Sequence, residues 1–142
     1  MPSASGSITI ARPPDAVFAF VADGTTATQW RPGVLDISPT GGDGLGSTYR
    51  QGVKGPGGRR VAADYEVTAY EPGKRLAFKA IAGPVRPTGE YRFESVPEGT
   101  RLTFSLDAEL GWAKRLLMGS AVQRSMDAEV TALGRLKEVL EA

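Results

Sequence analysis

The sequence predicts an α+β fold, in which a curved antiparallel sheet of about seven strands is closed by a long C-terminal helix and two short helices follow the first strand. Three observations carry this expectation. Apolar and polar residues alternate from residue 34 to about 110. Clusters of Gly and Pro interrupt that alternation at short intervals, as turns between sequential strands do. Beyond Trp112 the apolar spacing changes to steps of three and four, the period of a helix.

Taken in order, Ser7–Ala11 alternates and is β-branched, so it reads as a strand, and Pro13-Pro14 ends it. Asp15 then sits in a first helical turn, where a negative charge suits the helix dipole. Val17, Phe18, Phe20 and Val21 form an apolar helical face, and a second short helix spans Thr25–Trp30 until Arg31-Pro32-Gly33 stops it. Leu35 and Ile37 begin the alternating region, followed by Tyr49, Gln51 and Val53 on one strand face. Val61, Ala63, Tyr65, Val67 and Ala69 point one way, with Ala62, Asp64, Glu66, Thr68 and Tyr70 on the other side. Pro72-Gly73 makes a turn in which Pro presets the second position and Gly supplies positive φ at the third. Leu76, Phe78 and Ala80 continue the pattern, then Tyr91 with Phe93, and Leu102 with Phe104 and Leu106. Gly52 and Gly89 fall inside strand patterns and suggest bulges or bends. Val122, Met126, Val130, Leu133, Leu136 and Leu140 draw one apolar stripe and predict a continuous helix over 120–140. From Trp112 that helical segment would be about 45 Å long, enough to cross the sheet. Gly119 is read as separating a leading turn from the main helix, and Gly134 as permitting close packing on a strand.

Composition narrows the function. The 142 residues fit one domain, 1–142, with no evident boundary or repeat. Lys plus Arg is 17 and Asp plus Glu is 16, so a net charge of +1 gives no bulk attraction to nucleic acid or to an anionic membrane. There are no cysteines, hence no disulfide, thiolate nucleophile or Cys-based zinc site. There are no histidines either, which excludes Ser-His-Asp chemistry and imidazole ligation. Acid–base work would fall to Asp, Glu, Tyr, Lys or water. The N-terminal residues do not resemble a signal peptide, and the longest apolar run, Ala16–Ala22, falls far short of the roughly 20 residues a spanning helix needs. A cytoplasmic protein without cofactor or metal, without stable membrane insertion and either monomeric or homodimeric is expected.

Several stretches resemble a known family: Ile8-Thr9-Ile10 leading to Pro13-Pro14-Asp15-Ala16-Val17-Phe18, Trp30-Arg31-Pro32-Gly33-Val34, Gly46-Ser47-Thr48-Tyr49, Tyr65 to Pro72, Arg75-Leu76-Ala77-Phe78, Tyr91-Arg92-Phe93, and Gly99 to Phe104. Together they are similar to the polyketide cyclase/dehydrase and lipid-transport superfamily, also called START-related or SRPBCC. The resemblance covers nearly the whole chain. It implies a helix-grip fold, with the sheet wrapped around the last helix and a cavity between them. It implies no single chemistry, because the matching residues are turn and core residues.

The candidate ligand-binding residues follow from the covered faces. Trp30 reads as a cavity wall or as a core anchor. Tyr49, Tyr65 and Tyr91, together with Gln51, bring more polarity to the covered sheet face than a dry core carries. Phe78, Phe93 and Phe104 share that face, and Met118, Val122 and Met126 face it from the helix. Glu129 falls within the helix stripe, three residues after Met126 and four before Leu133. It is either salt-bridged to an arginine at the sheet edge, such as Arg50 or Arg86, or a wet polar anchor bonded to an inward Tyr. No catalytic residue is assigned.

Three functions remain open. The first is a carrier for a small apolar or lipid-like molecule. The second is an aromatase/cyclase or dehydratase acting on a polyketide-like substrate. The third is a protein-interaction module of the chaperone-activator type, which would need an exposed apolar patch.

Overall fold

A computed structural model describes residues 2–142. Strand β1 (Ser3–Ile10) leads into helix α1 (Pro14–Ala22), a 3₁₀ turn at Gly24–Thr26 and the single-turn helix α2 (Ala27–Trp30). Strands β2 (Val34–Gly41), β3 (Thr48–Lys54), β4 (Arg60–Ala62), β5 (Tyr65–Glu71), β6 (Arg75–Ala80), β7 (Thr88–Val96) and β8 (Gly99–Asp107) follow. Helices α3 (Trp112–Thr131) and α4 (Leu133–Glu141) end the chain. All pairings are antiparallel, in the order β1-β8-β7-β6-β5-β3-β2, with the short β4 added to β3. This is the predicted α+β meander with the first strand returned beside the last.

The edge strand β1 is closed by the C-terminal helices. The Gln123 side-chain amide donates to Ser3 O at 2.6 Å and its oxygen accepts from Ser3 N at 3.2 Å. Further along, Lys137 Nζ donates to Thr9 O at 2.7 Å, and Glu141 Oε2 accepts from Ala11 N at 2.7 Å. These side chains occupy main-chain groups that would otherwise invite another strand. Gly6 makes the close approach possible, since a Cβ there would lie 2.5 Å from Val130 Cγ1. The core lies between this helix face and the sheet, centred on Ile10, Val17, Leu102, Phe104 and Leu136.

Five expectations from periodicity are corrected. The helix is not one uninterrupted run over 120–140: it is divided at the single residue Ala132, which keeps right-handed helical angles (φ −63°, ψ −13°) and main-chain bonds to Ala128 O and from Leu136 N. Immediately before Ala132, the Thr131 hydroxyl donates to Asp127 O one turn back at 2.9 Å, a back-bond that bends helices. Gly119, by contrast, lies inside α3 and separates nothing, and Gly134 has no neighbour to pack on. The alternation from Val61 to Ala69 is not one strand. It divides at Ala63-Asp64, where Asp64 Oδ1 accepts from Gln51 N at 3.1 Å in place of a main-chain partner.

A bulge does fall opposite Gly52, but none falls at Gly89, and another lies where no glycine marks it. Thr68 is an extra residue in β5, because Val67 opposes Phe78 and Ala69 opposes Ala77. The slip exchanges the faces, so Tyr70 joins Leu76 on the inner face and meets Phe18 edge-on at 5.1 Å, at a rim where it stays 38% exposed. A second bulge at Leu35, between Val34 opposite Val53 and Asp36 opposite Gly52, turns Leu35 outward. Gly89 is in regular register with Phe78 and makes room for its ring.

Candidate functional site

One aromatic side chain from each of five strands builds a ladder on the inner sheet face. Tyr49 stacks on Tyr65 at 5.1 Å, Tyr65 meets Phe78 at 5.6 Å, and Phe78 meets Tyr91 at 6.2 Å. Tyr91 stacks on Phe104 at 4.2 Å with the rings 7° from parallel. The register explains the ends of the ladder, where Tyr49 directly opposes Tyr65 and Tyr91 directly opposes Phe104.

A cavity of about 50 Å³ lies between the middle of this ladder and the helical segment 21–31. Of the residues singled out in the sequence, Trp30, Gln51, Tyr65, Phe78 and Tyr91 line it. Tyr49 does not; it stands behind Tyr65 and accepts a hydrogen bond from Gly24 N at 3.3 Å. Phe93 packs edge-on to Phe18 at 5.2 Å, outside the cavity wall. Phe104, Val122 and Met126 are buried in the solid core, and Met118 packs against it. The expected cavity between sheet and C-terminal helix is therefore smaller and displaced toward α1 and α2. That volume accommodates only a few waters, at roughly 15 Å³ each.

The polar end of the cavity is made by Arg31, a residue that sequence reasoning places in a helix stop and a family-like stretch but not in the site. Arg31 Nε donates to Glu129 Oε2 at 2.7 Å, and Nη1 donates to Gln51 Oε1 at 3.0 Å. The two charged side chains are 15% and 19% exposed. Glu129 is thus neither a wet anchor bonded to a tyrosine nor the partner of Arg50 or Arg86. Its cation comes from the C-terminal end of α2, directly after the buried Trp30. The available signal was the carboxylate in an apolar stripe, which demanded a cation somewhere. Gln51 is fixed in turn, since its amide nitrogen donates to Ala63 O at 3.1 Å.

Electrostatics keeps these groups in defined states. Burial alone would lower the Arg31 pKa, but the charge and hydrogen bond of Glu129 outweigh it and hold the guanidinium ionised. Burial pushes the Tyr65 and Tyr91 phenols above their ordinary value, against a smaller opposite pull from Arg31. Both are therefore neutral hydrogen-bond donors at neutral pH. Every side-chain polar atom sealed from solvent has a partner. Among the described residues, the two hydroxyls and Arg31 Nη2 have no protein hydrogen bond, so these donors remain open to the cavity. No trio of Asp or Glu side chains gathers there as a metal site would require.

A pH consequence follows. A phenol whose pKa is raised on folding stabilises the fold fully below its unfolded value of 10.0, and that contribution is lost as pH rises through the folded value. Alkaline titration at 295 nm should show two tyrosines ionising only together with loss of near-ultraviolet circular dichroism. Smooth ionisation of all four tyrosines before unfolding would contradict this burial.

Comparison with known proteins now bears on this geometry. The family model described as polyketide cyclase/dehydrase and lipid transport matches residues 1–141. The chain belongs to this family. The solved structures similar to this family member share its fold across nearly the whole chain. A protein from Thermus thermophilus superposes with a TM-score of 0.84 at 22% identity, covering 99% of this chain and 97% of the other. A START superfamily protein from Mycobacterium smegmatis gives 0.79 at 16%, covering 98% and 97%. A Streptomyces aromatase/cyclase gives 0.75 at 19%, covering 96% and 92%. Among curated sequences, a protein of Mycobacterium tuberculosis described as uncharacterized is 26% identical over 113 residues, 77% of this chain. The aligned segment spans 66% of that relative's length. Among the described residues no helix is long and apolar enough to cross a membrane.

Proposed function

We propose that this family member binds a small, mainly apolar molecule carrying a carbonyl-type oxygen, in the interior lined by Trp30, Arg31, Gln51, Tyr65, Phe78 and Tyr91. The observation that carries this is the set of three unpartnered donors, Arg31 Nη2 and the Tyr65 and Tyr91 hydroxyls, at one end of an otherwise apolar wall. None of these donors is sealed from solvent, so each bonds water or, once that water is displaced, a ligand oxygen. Arg31 is already neutralised by Glu129, so a neutral acceptor suits the site better than a second carboxylate. The apolar body of the ligand would lie along Trp30, Val67, Leu76 and Phe78. Drug-sized ligands need about 300 Å³ or more, so binding must displace the waters and spread the aromatic ladder.

Native mass spectrometry of protein purified from its own host should show a retained neutral, mostly apolar molecule. Tyr65→Phe combined with Tyr91→Phe should weaken its binding about tenfold or more, from two lost hydrogen bonds of about 1 kcal/mol each, while leaving the thermal midpoint nearly unchanged. A retained anionic or polar ligand, or affinity indifferent to both hydroxyls, would defeat this assignment. Release of the molecule unaltered supports a carrier; its conversion on the protein supports a cyclase or dehydratase.

A further inference from the structure

The leading half of α3 has surface chemistry unlike the rest of the molecule. Every residue from Gly111 to Leu117 is exposed, and the first buried side chain of the helix is Val122. Three large apolar side chains lie in this exposed stretch: Trp112 is 74% exposed, Leu116 78% and Leu117 87%. Neither the sheet nor α4 covers them. Lys114 Nζ makes an exposed hydrogen bond to Pro84 O at 3.2 Å.

We propose that this end of α3 is a docking surface for an anionic lipid bilayer, bound peripherally and reversibly. Helical geometry orders the side chains. At about 100° per residue, Trp112, Leu116, Ala113 and Leu117 occupy one arc of about 140°. Arg115 falls about 60° beyond one edge of that arc and Lys114 about 60° beyond the other. An apolar arc flanked on both sides by long cationic side chains is the arrangement of a helix lying in a membrane interface. The apolar groups enter the acyl boundary, and the cations reach back to phosphate.

The surroundings reinforce the sign. An open groove of about 560 Å³ beside Trp112 carries Arg86 and Lys114 against one carboxylate, Glu109. With Arg115 at the other edge of the arc, three cations stand against one carboxylate around this end of α3. The same feature disfavours a second copy of the chain as the occupant, because two such surfaces would repel.

Trp112 is its own reporter. The other tryptophan, Trp30, is 3% exposed and should be indifferent to lipid. Phosphatidylcholine vesicles containing phosphatidylglycerol should shift the emission to shorter wavelength and carry the protein down in sedimentation. Phosphatidylcholine alone should do neither, and high salt should reverse the effect. Lys114→Glu with Arg115→Glu should lower partition at least about tenfold. Leu116→Gln with Leu117→Gln should abolish the emission shift. All four residues are exposed, so an unchanged thermal midpoint should accompany each loss. Failure of wild type to bind anionic vesicles, or equal binding by the variants, overturns the assignment. So does a concentration-dependent dimer in sedimentation velocity that the leucine variant dissolves, since that would make the surface a protein interface.

Discussion

Phe104→Ala is expected to lower the free energy of unfolding by about 3–5 kcal/mol, the largest loss from any single aromatic of the ladder. Phe104 is 1% exposed, and its ring stacks on Tyr91 at 4.2 Å and meets Phe78 at 6.4 Å. Truncation removes the transferred apolar area and the stacking, which adds about 1 kcal/mol beyond area. It also leaves a void, because the residues around it belong to three different strands and cannot all collapse inward. That void would open behind Tyr91, against the wall of the existing cavity. A dry, apolar hole of this kind takes up small aromatic molecules. Benzene or indole should therefore recover part of the lost stability of Phe104→Ala and leave wild type unaffected. Urea denaturation with and without the additive measures both. A loss below about 1.5 kcal/mol would show that the core collapses there and that Phe104 is not a fixed wall.

Arg31→Met is expected to cost about 3 kcal/mol, or roughly 10 °C in thermal midpoint, because it strands the Glu129 carboxylate in a mostly buried position. Glu129→Gln should cost at least 1 kcal/mol for the corresponding reason, since it removes the charge opposite Arg31. The residual exposure of 15% and 19% places both near the lower end of what broken buried pairs cost. The double variant Arg31→Met with Glu129→Leu should recover most of the loss, because an apolar pair of similar volume needs no desolvation. It should nevertheless lose the proposed ligand, whose oxygen would no longer meet the guanidinium. Recovery of stability together with retained binding would separate Arg31 from recognition. If neither single change lowers stability, the pair is not a structural tie between α2 and α3.

The sheet and helices were legible because their signal is local. A side chain that faces the core recurs at every second residue of a strand, as Leu102, Phe104 and Leu106 do. It recurs at every third or fourth residue of a helix, as Val122 and Met126 do. Burial acts on each residue separately, so the order of apolar residues records which face is covered. The same reasoning located Trp30, Gln51, Tyr65, Phe78 and Tyr91 on the inner surface, although it could not tell the five that reach the cavity from Phe104 or Met126 in the packed core.

What escaped the sequence is non-local. A single extra residue at Thr68 reverses the phase of β5 and brings Tyr70 inward, yet the alternation on either side looks unbroken. Ala132 divides a stripe that continues across it in spacing. Arg31 and Glu129 lie 98 positions apart, and only the assembled α2, β3 and α3 bring the guanidinium between a carboxylate and Gln51. By itself the sequence determined which residues leave water. Tertiary structure decided which of them meet, because pairing energies depend on distances that exist only once the sheet has closed over the helices.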